Sequence, residues 1–313
     1  MSDADAVHVT DAETVAQAVR VLRAGGVVAI PTETVYGLAA DVGNAQAIAR
    51  VYAIKGRPAD HPLIVHVHDV NALEGYVAEI TPALRALGAR FWPGPLTAIV
   101  ARGPRTPRAV TGGQDTVAVR IPQHPLAQAI LAGFGGALAA PSANRFGRIS
   151  PTSAEHVRAD LGDDVDAIVD GGAAQVGVES TIVDLTGPVP AVLRAGAITA
   201  TQLGDALGCP VIARAGGPVR APGTHASHYA PRARVLLVAA GAREETMRTL
   251  AEEGSRVALL ALPDDPAQAA RTLYAALRAL DAGGYDAIVA TLPPDTEANA
   301  AVRDRLSRAA SPR

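Results

Sequence analysis

Pro31-Thr-Glu-Thr-Val-Tyr-Gly37, a helical pattern closing on Lys55-Gly-Arg-Pro58, and Pro62-Leu-Ile-Val-His-Val67 decide how the larger part of this chain folds. The apolar run Val27 to Ile30 predicts a short strand, and Pro31, which has no amide donor, ends it. The hydroxyl-rich segment Thr32 to Gly37 therefore leaves a strand end, a common place for binding loops in α/β folds. Asn44 is placed to cap the next helix, with Ile48 and Tyr52 on its apolar side and Lys55 near its end. Between Leu63 and His68, alternation sets Leu63, Val65 and Val67 on one face and Ile64, His66 and His68 on the other. Lys55 is the only lysine among 28 Lys and Arg residues. A compact ammonium retained where every other such cation is a planar fork points to a position that guanidinium cannot copy.

Working outward, Thr10-Asp-Ala-Glu13 has capping-box spacing and predicts a helix start, with Gly25-Gly26 as its end. Thr81-Pro82 opens another helix. Phe91 to Thr97 contains two prolines, so a rigid bend is expected before a strand over Thr97 to Ala101. In Thr116 to Ile121, Val117, Val119 and Ile121 take the core face, leaving Thr116, Ala118 and Arg120 opposite. A helix over Pro125 to Leu131, terminated by Gly133-Phe-Gly-Gly136, leads to a small-residue strand, Ala137 to Ala140, and a second polar loop, Pro141-Ser-Ala-Asn144. Thr152-Ser-Ala-Glu155 has the spacing of another capping box, for a helix to Leu161. Strands are expected at Ala167 to Asp170, Thr181 to Leu185 and Ala191 to Arg194. Gly208 to Arg234 has linker texture. Beyond it, strands near Val235 to Ala239, Arg256 to Ala261 and Ala287 to Thr291 alternate with helical patterns at Arg243 to Glu253, Pro266 to Asp281 and Ala298 to Ala309. Such alternation predicts a small Rossmann-like parallel α/β domain. The division expected is 1–210, a linker over 211–234 folding toward the active site, and 235–313.

A length of 313 residues, 49% hydrophobic and 19% charged, suits a globular chain with a substantial core. A net charge of −3 disfavours a non-specific nucleic-acid binder. The lone Cys209 rules out an intrachain disulfide and a cysteine-rich zinc site. An acidic N-terminus without a signal-like apolar run leads us to expect a cytoplasmic protein.

There is no GxxxxGK[ST] loop, GxGxxG, HExxH or GxSxG motif. His66 and His68 share a strand face but lack a third metal ligand, so they read as polar positions on a pocket wall and no protein metal site is assigned. Basic and hydroxyl residues instead recur at strand ends and on polar strand faces: Thr32, Thr34, Lys55, Arg57, His66, Thr116, Arg120, Ser142, Asn144, Ser150, Ser180 and Arg194. Several cations with many hydroxyls suit a polyphosphate and a carboxylate.

At these residues the chain resembles the threonylcarbamoyl-AMP synthases of the YrdC/Sua5 type. The likeness rests on Pro31 to Leu38, Lys55-Gly-Arg-Pro58 with Pro62, Leu63 and His66, Trp92-Pro-Gly-Pro-Leu-Thr97, and Pro141-Ser-Ala-Asn144. The segment Pro222 to Pro231, followed by a small α/β domain, is similar to the longer Sua5 form. The resemblance implies an α/β fold in which a YrdC-like twisted mixed sheet, with helices, surrounds a concave pocket. It also implies ATP-dependent joining of L-threonine and bicarbonate into threonylcarbamoyladenylate with release of pyrophosphate. The product would serve a separate tRNA threonylcarbamoyl-transfer complex acting on adenosine 37 of tRNAs reading ANN codons.

Carried over by the same resemblance, Thr34, His66, Arg120, Ala140 and Ser180 would bind threonine. Arg57, His61, Thr116, Ser142, Asn144, Ser150, Arg194 and Tyr229 would bind ATP, although His61 stands where many members have Asn. Lys55, Arg57 and Arg194 would offset charge as the carbamate meets the α-phosphate, with Mg²⁺ accompanying ATP. Tyr229 and His228 lie in a proline-bounded segment expected to close over the nucleotide. Two rival readings are an RNA-binding YrdC-like module without synthetase activity, which the net charge opposes, and a carbamoyl-transfer enzyme. Relatives of the second kind carry acylphosphatase or zinc-finger parts that this sequence lacks.

Overall fold

The structure, a computed structural model, describes residues 3–214, 221–222 and 229–311. Most of the expected closing segment, His228 included, lies outside the described residues.

Helix α1 (Asp3–Arg23) runs through Thr10 to Glu13, so that capping-box spacing opens no helix. Within a helix the amides already have carbonyl partners one turn back, and a cap has no orphan donor to satisfy. Strand β1 (Val28–Ile30) stops at Pro31 and pairs antiparallel with β2 (Gly37–Asp41). Asn44 caps α2 (Ala45–Lys55) as expected, its side chain accepting from the amides of Gln46 and Ala47, both at 3.0 Å. Gly56, at φ 60°, ends α2 in the left-handed conformation. Then come β3 (Ile64–His66), α3 (Pro82–Phe91) with its Thr81 cap, β4 (Leu96–Ala101), β5 (Thr116–Arg120), α4 (Pro125–Phe134) and β6 (Leu138–Ala139). The Phe91 to Thr97 bend contains a cis Trp92–Pro93 peptide.

Helix α5 (Ala154–Leu161) is capped by Ser153 rather than Thr152, one residue later than the capping-box spacing suggests. The Thr152 hydroxyl instead lies 3.3 Å from His156 Nδ1. Strands β7 (Ala167–Ile168), β8 (Thr181–Asp184) and β9 (Ala191–Arg194) fall where alternation places them. Helix α6 (Ala200–Leu207) occupies a segment that the sequence reading leaves unassigned, although Thr199 and Gln202 form a reciprocal capping box there. Strand β10 (Ile212–Ala213), inside the expected linker, pairs parallel with β9.

The main sheet has the order β10-β9-β8-β4-β5-β3-β6-β2-β1-β7 and mixed pairing. Val65, Val117 and Val119 enter the large core, while Ile64 and Ala118 point the other way into a smaller cluster. Parallel register sets His66 of β3 beside Arg120 of β5 on that second face. Period-two alternation therefore delivers both polar side chains to one side of the sheet.

The C-terminal unit comprises β11 (Arg234–Leu237), α7 (Arg243–Glu252), β12 (Val257–Leu259), α8 (Pro266–Ala282), β13 (Ala287–Ala290) and α9 (Ala300–Ala309). Its three strands form a parallel sheet in the order β11-β13-β12, as the strand and helix alternation predicts. One apolar cluster joins Val35, Ile149, Val178 and Tyr229 to Leu273, Tyr274, Leu277 and Leu306, so the second unit packs directly on loops of the first. Among the described residues no helix is long and apolar enough to cross a membrane.

Candidate active site

A cleft opens where the β1–β2 loop, the ends of β3 and β5, the loop after β6, the start of β8 and the end of β9 converge. Pro222 and Tyr229 of the connector complete its wall. Of the residues that the sequence nominates, Thr32, Thr34, Arg57, His66, Arg120, Ala140, Ser142, Ser180, Arg194 and Tyr229 line this one cleft.

At one end, Arg120 is buried on β5 and aims its fork at the β1–β2 loop. Nη1 donates to Thr34 Oγ1 at 2.9 Å, Nη2 to Glu33 Oε1 at 2.7 Å, and Nε to the Gly94 carbonyl at 3.3 Å. The other Glu33 oxygen accepts from the Gln123 amide at 3.0 Å, so both buried charges are paired. Beside Arg120, burial and then the guanidinium itself push His66 down to about 3. The imidazole is neutral at physiological pH. Its Nδ1 lies 3.1 Å from the Ile64 carbonyl, which can only accept, so Nδ1 carries the proton and Nε2 keeps a lone pair. This end thus offers a cation, a hydroxyl and a neutral acceptor, the complement of an amino acid carrying its own hydroxyl.

The His66 shift has a measurable consequence. The unfolded chain protonates this ring near 6.5 and the folded chain only near 3, so its stabilisation is complete above pH 6.5 and is lost as pH falls toward 3. Between pH 7 and pH 5 the loss from this residue is about 2 kcal/mol. Denaturant unfolding at the two pH values should show wild type losing about that much more than His66→Gln; equal losses would contradict the assignment.

At the other end Arg194, at the close of β9, donates Nε and Nη2 to the Ser180 carbonyl at 3.1 and 3.0 Å and Nη1 to the Pro222 carbonyl at 3.0 Å. It thereby ties the start of β8 to the connector. Arg57 donates Nη2 to the Pro62 carbonyl at 2.9 Å and lies 5.7 Å from the Phe146 ring centre. Burial lowers it to about 10, still protonated at neutral pH. Tyr229 takes a left-handed backbone at φ 62°, a conformation that costs a bulky residue energy.

Lys55 stands behind the cleft wall, against the loop after β6. Its Nζ donates to the carbonyls of Ser142 and Asn144 at 2.5 and 2.6 Å, behind the Pro141 to Asn144 loop, and it is not among the cleft-lining residues. Burial, followed by repulsion from Arg57, pulls it well below the usual lysine range. A slim amine fits between two carbonyls where a planar fork would not, which gives the solitary lysine a structural reason. Asn144 also stands behind the wall, its amide donating to the carbonyls of Arg145 and Arg148. His61, Thr116 and Ser150 lie outside the lining. His61 packs 5.3 Å from the Phe146 ring, and Thr116 opens β5 at the end away from Arg120.

Two acids escaped the sequence reading. Glu33 sits inside the quoted loop and balances Arg120, while Glu179, just before Ser180, lines the cleft and faces Arg194. Burial pushes the Glu179 carboxyl up, but Arg305 and then Arg194 prevail and hold it at about 2. A buried arginine implies a nearby acid, and Glu33 was the available signal for Arg120.

A buried, arginine-lined cleft at the strand ends of a twisted mixed sheet, walled partly by the connector to a second α/β unit, defines a small-molecule site for anionic ligands. Residues 20–196 match the family model Sua5_yciO_yrdC, described as "Telomere recombination", and residues 198–311 match one described as "Threonylcarbamoyl-AMP synthase, C-terminal domain". The chain belongs to the Sua5/YciO/YrdC family. It is 39% identical to a Threonylcarbamoyl-AMP synthase of Pyrococcus abyssi, over 92% of this chain and 91% of that protein. It is 40% identical to a Bacillus subtilis protein of the same name, over 96% and 93%. The crystal structure of P. abyssi Sua5 complexed with L-threonine superposes with a TM-score of 0.89 at 37% identity, covering 95% of this chain and 94% of that one.

Proposed function

We propose that the chain joins L-threonine, bicarbonate and ATP into threonylcarbamoyl-AMP with release of pyrophosphate. One observation carries the reading: the fold is shared along nearly its whole length with a Sua5 solved with L-threonine, and one cleft holds both an amino-acid-shaped end and an arginine-rich end.

In this reading Arg120 and Thr34 take the threonine carboxylate, and His66 Nε2 accepts from the ligand's amine or hydroxyl. Ala140 and Ser180 bound that end. The neutral amine adds to the carbon of bicarbonate, the C–OH bond of bicarbonate breaks, and the hydroxyl leaves as water with an amine proton, giving a carbamate. A carbamate oxygen then attacks the α-phosphorus, and the bond to pyrophosphate breaks. Two anions must meet, so the protein's contribution is positive charge and orientation. Arg57 and Arg194 supply the charge, and Ser142 and Tyr229 shape the nucleotide end. Lys55 acts through the loop carbonyls that it grips, with Asn144 and Ser150 holding the same wall from behind.

Mg²⁺ is taken as arriving on the phosphates of ATP, the usual mode for nucleotide-dependent phosphoryl transfer. The adenylate would pass to a tRNA threonylcarbamoyl-transfer complex in the cytoplasm. Pyrophosphate release tests the reading: it should need ATP, threonine and bicarbonate together, and release that ignores threonine would overturn it.

A further inference from the structure

Glu179 is an acid on the cleft wall whose carboxylate is gripped from the far side by the C-terminal unit. Its Oε2 accepts from Tyr274 Oη of α8 at 2.9 Å and from Arg305 Nε of α9 at 2.8 Å, and its Oε1 accepts from Ser150 Oγ at 2.5 Å. Arg305 is wholly buried. Its Nη2 donates to the carbonyl of Ala195, the residue after Arg194, at 3.0 Å, and its guanidinium lies 5.1 Å from the Tyr229 ring centre. Tyr274 stacks on Tyr229 with ring centres 5.7 Å apart. Two side chains of the second unit thus touch Glu179, Tyr229 and the backbone beside Arg194. Ser150, Arg194 and Tyr229 are all assigned to the ATP end.

We propose that Glu179, held by Arg305 and Tyr274, is a positioning residue through which the docked C-terminal unit sets the geometry of the ATP end of the cleft. The proposal rests on reading the cleft as a threonine and ATP site. Its physical basis is the cost of burying charge. An ion pair needed only to join two units is matched or bettered by well-packed apolar residues. Here the pair sits against the reaction cleft, and its acid also fixes the Ser150 hydroxyl as a donor. The threonine end has its own acid, Glu33, which none of these side-chain bonds reaches. Ser150, Tyr229 and the backbone beside Arg194 are reached directly, and the threonine end only through Ser180, which accepts from Arg194, so the larger effect falls on ATP.

The test uses the full-length chain. Tyr274→Phe removes one hydroxyl and keeps the ring stack. It should raise the KM for ATP about three- to tenfold, the net worth of one ordinary hydrogen bond, while calorimetric threonine affinity stays within about twofold. The double variant Glu179→Gln with Arg305→Met removes both charges of the pair, so neither is left buried opposite a missing partner, and Asp304 keeps Arg308. It should keep a raised ATP KM although its stability recovers relative to Arg305→Met alone. A wild-type ATP KM in both Tyr274→Phe and the double variant, or equal weakening of ATP and threonine, would overturn the proposal. If the wild-type chain itself binds neither ligand, the reading of the cleft falls first and takes the proposal with it.

Discussion

Arg120→Met is expected to abolish measurable threonine binding and to lower unfolding free energy by about 3–5 kcal/mol, the typical cost of stranding one partner of a buried ion pair. Arg120 and Glu33 side chains are each 5% exposed, and they pair at 2.7 Å. Removing the guanidinium leaves a buried carboxylate held by the Gln123 backbone amide. Stability loss and binding loss would normally be confounded, but the pair itself separates them. Adding Glu33→Gln to Arg120→Met removes the stranded charge and should restore much of the stability while threonine binding stays lost. Calorimetry and denaturant unfolding of the single and double variants read the two effects. Recovery of threonine binding in the double variant would show that Arg120 only neutralises Glu33 and does not take the substrate carboxylate.

Arg194→Met should reduce kcat/KM for ATP by about 10²–10³, the range seen when one donor is removed from a site of developing negative charge. The loss has two parts. A charge facing the phosphates disappears, and the carbonyls of Ser180 and Pro222 lose donors that join β8 to the connector. Arg194→Lys separates them, because lysine restores the charge without the fork. An intermediate defect is expected, with the larger share of the loss remaining. Steady-state kinetics at saturating threonine provide the measurement, and wild-type values for Arg194→Met would remove Arg194 from the site.

Legibility from sequence followed the range of the interactions. Val117, Val119 and Arg120 were sorted to the correct faces because period-two alternation is a property of neighbouring residues. The β11, β12 and β13 strands emerged for the same reason. Caps were less certain guides: Thr10 to Glu13 lies inside a longer helix, and Ser153 displaced Thr152, since spacing alone does not say where a helix has orphan amides. The cleft was legible through its motifs, which cluster in the first part of the chain. Its counter-charges were not, because Glu179 meets Arg305 across 126 residues and no local pattern announces that contact. Lys55 was singled out for its chemistry, and the structure sets its ammonium against two backbone carbonyls of the loop after β6.

The central claim is a statement about a product, and isotopic labelling reads it most directly. Purified chain incubated with Mg²⁺, ATP, L-threonine and labelled bicarbonate should yield threonylcarbamoyl-AMP by mass spectrometry, with the carbamoyl carbon labelled and pyrophosphate released in equal amount. An adenylate of threonine without the carbamoyl carbon, or label entering only when carbamoyl phosphate replaces bicarbonate, would contradict the account.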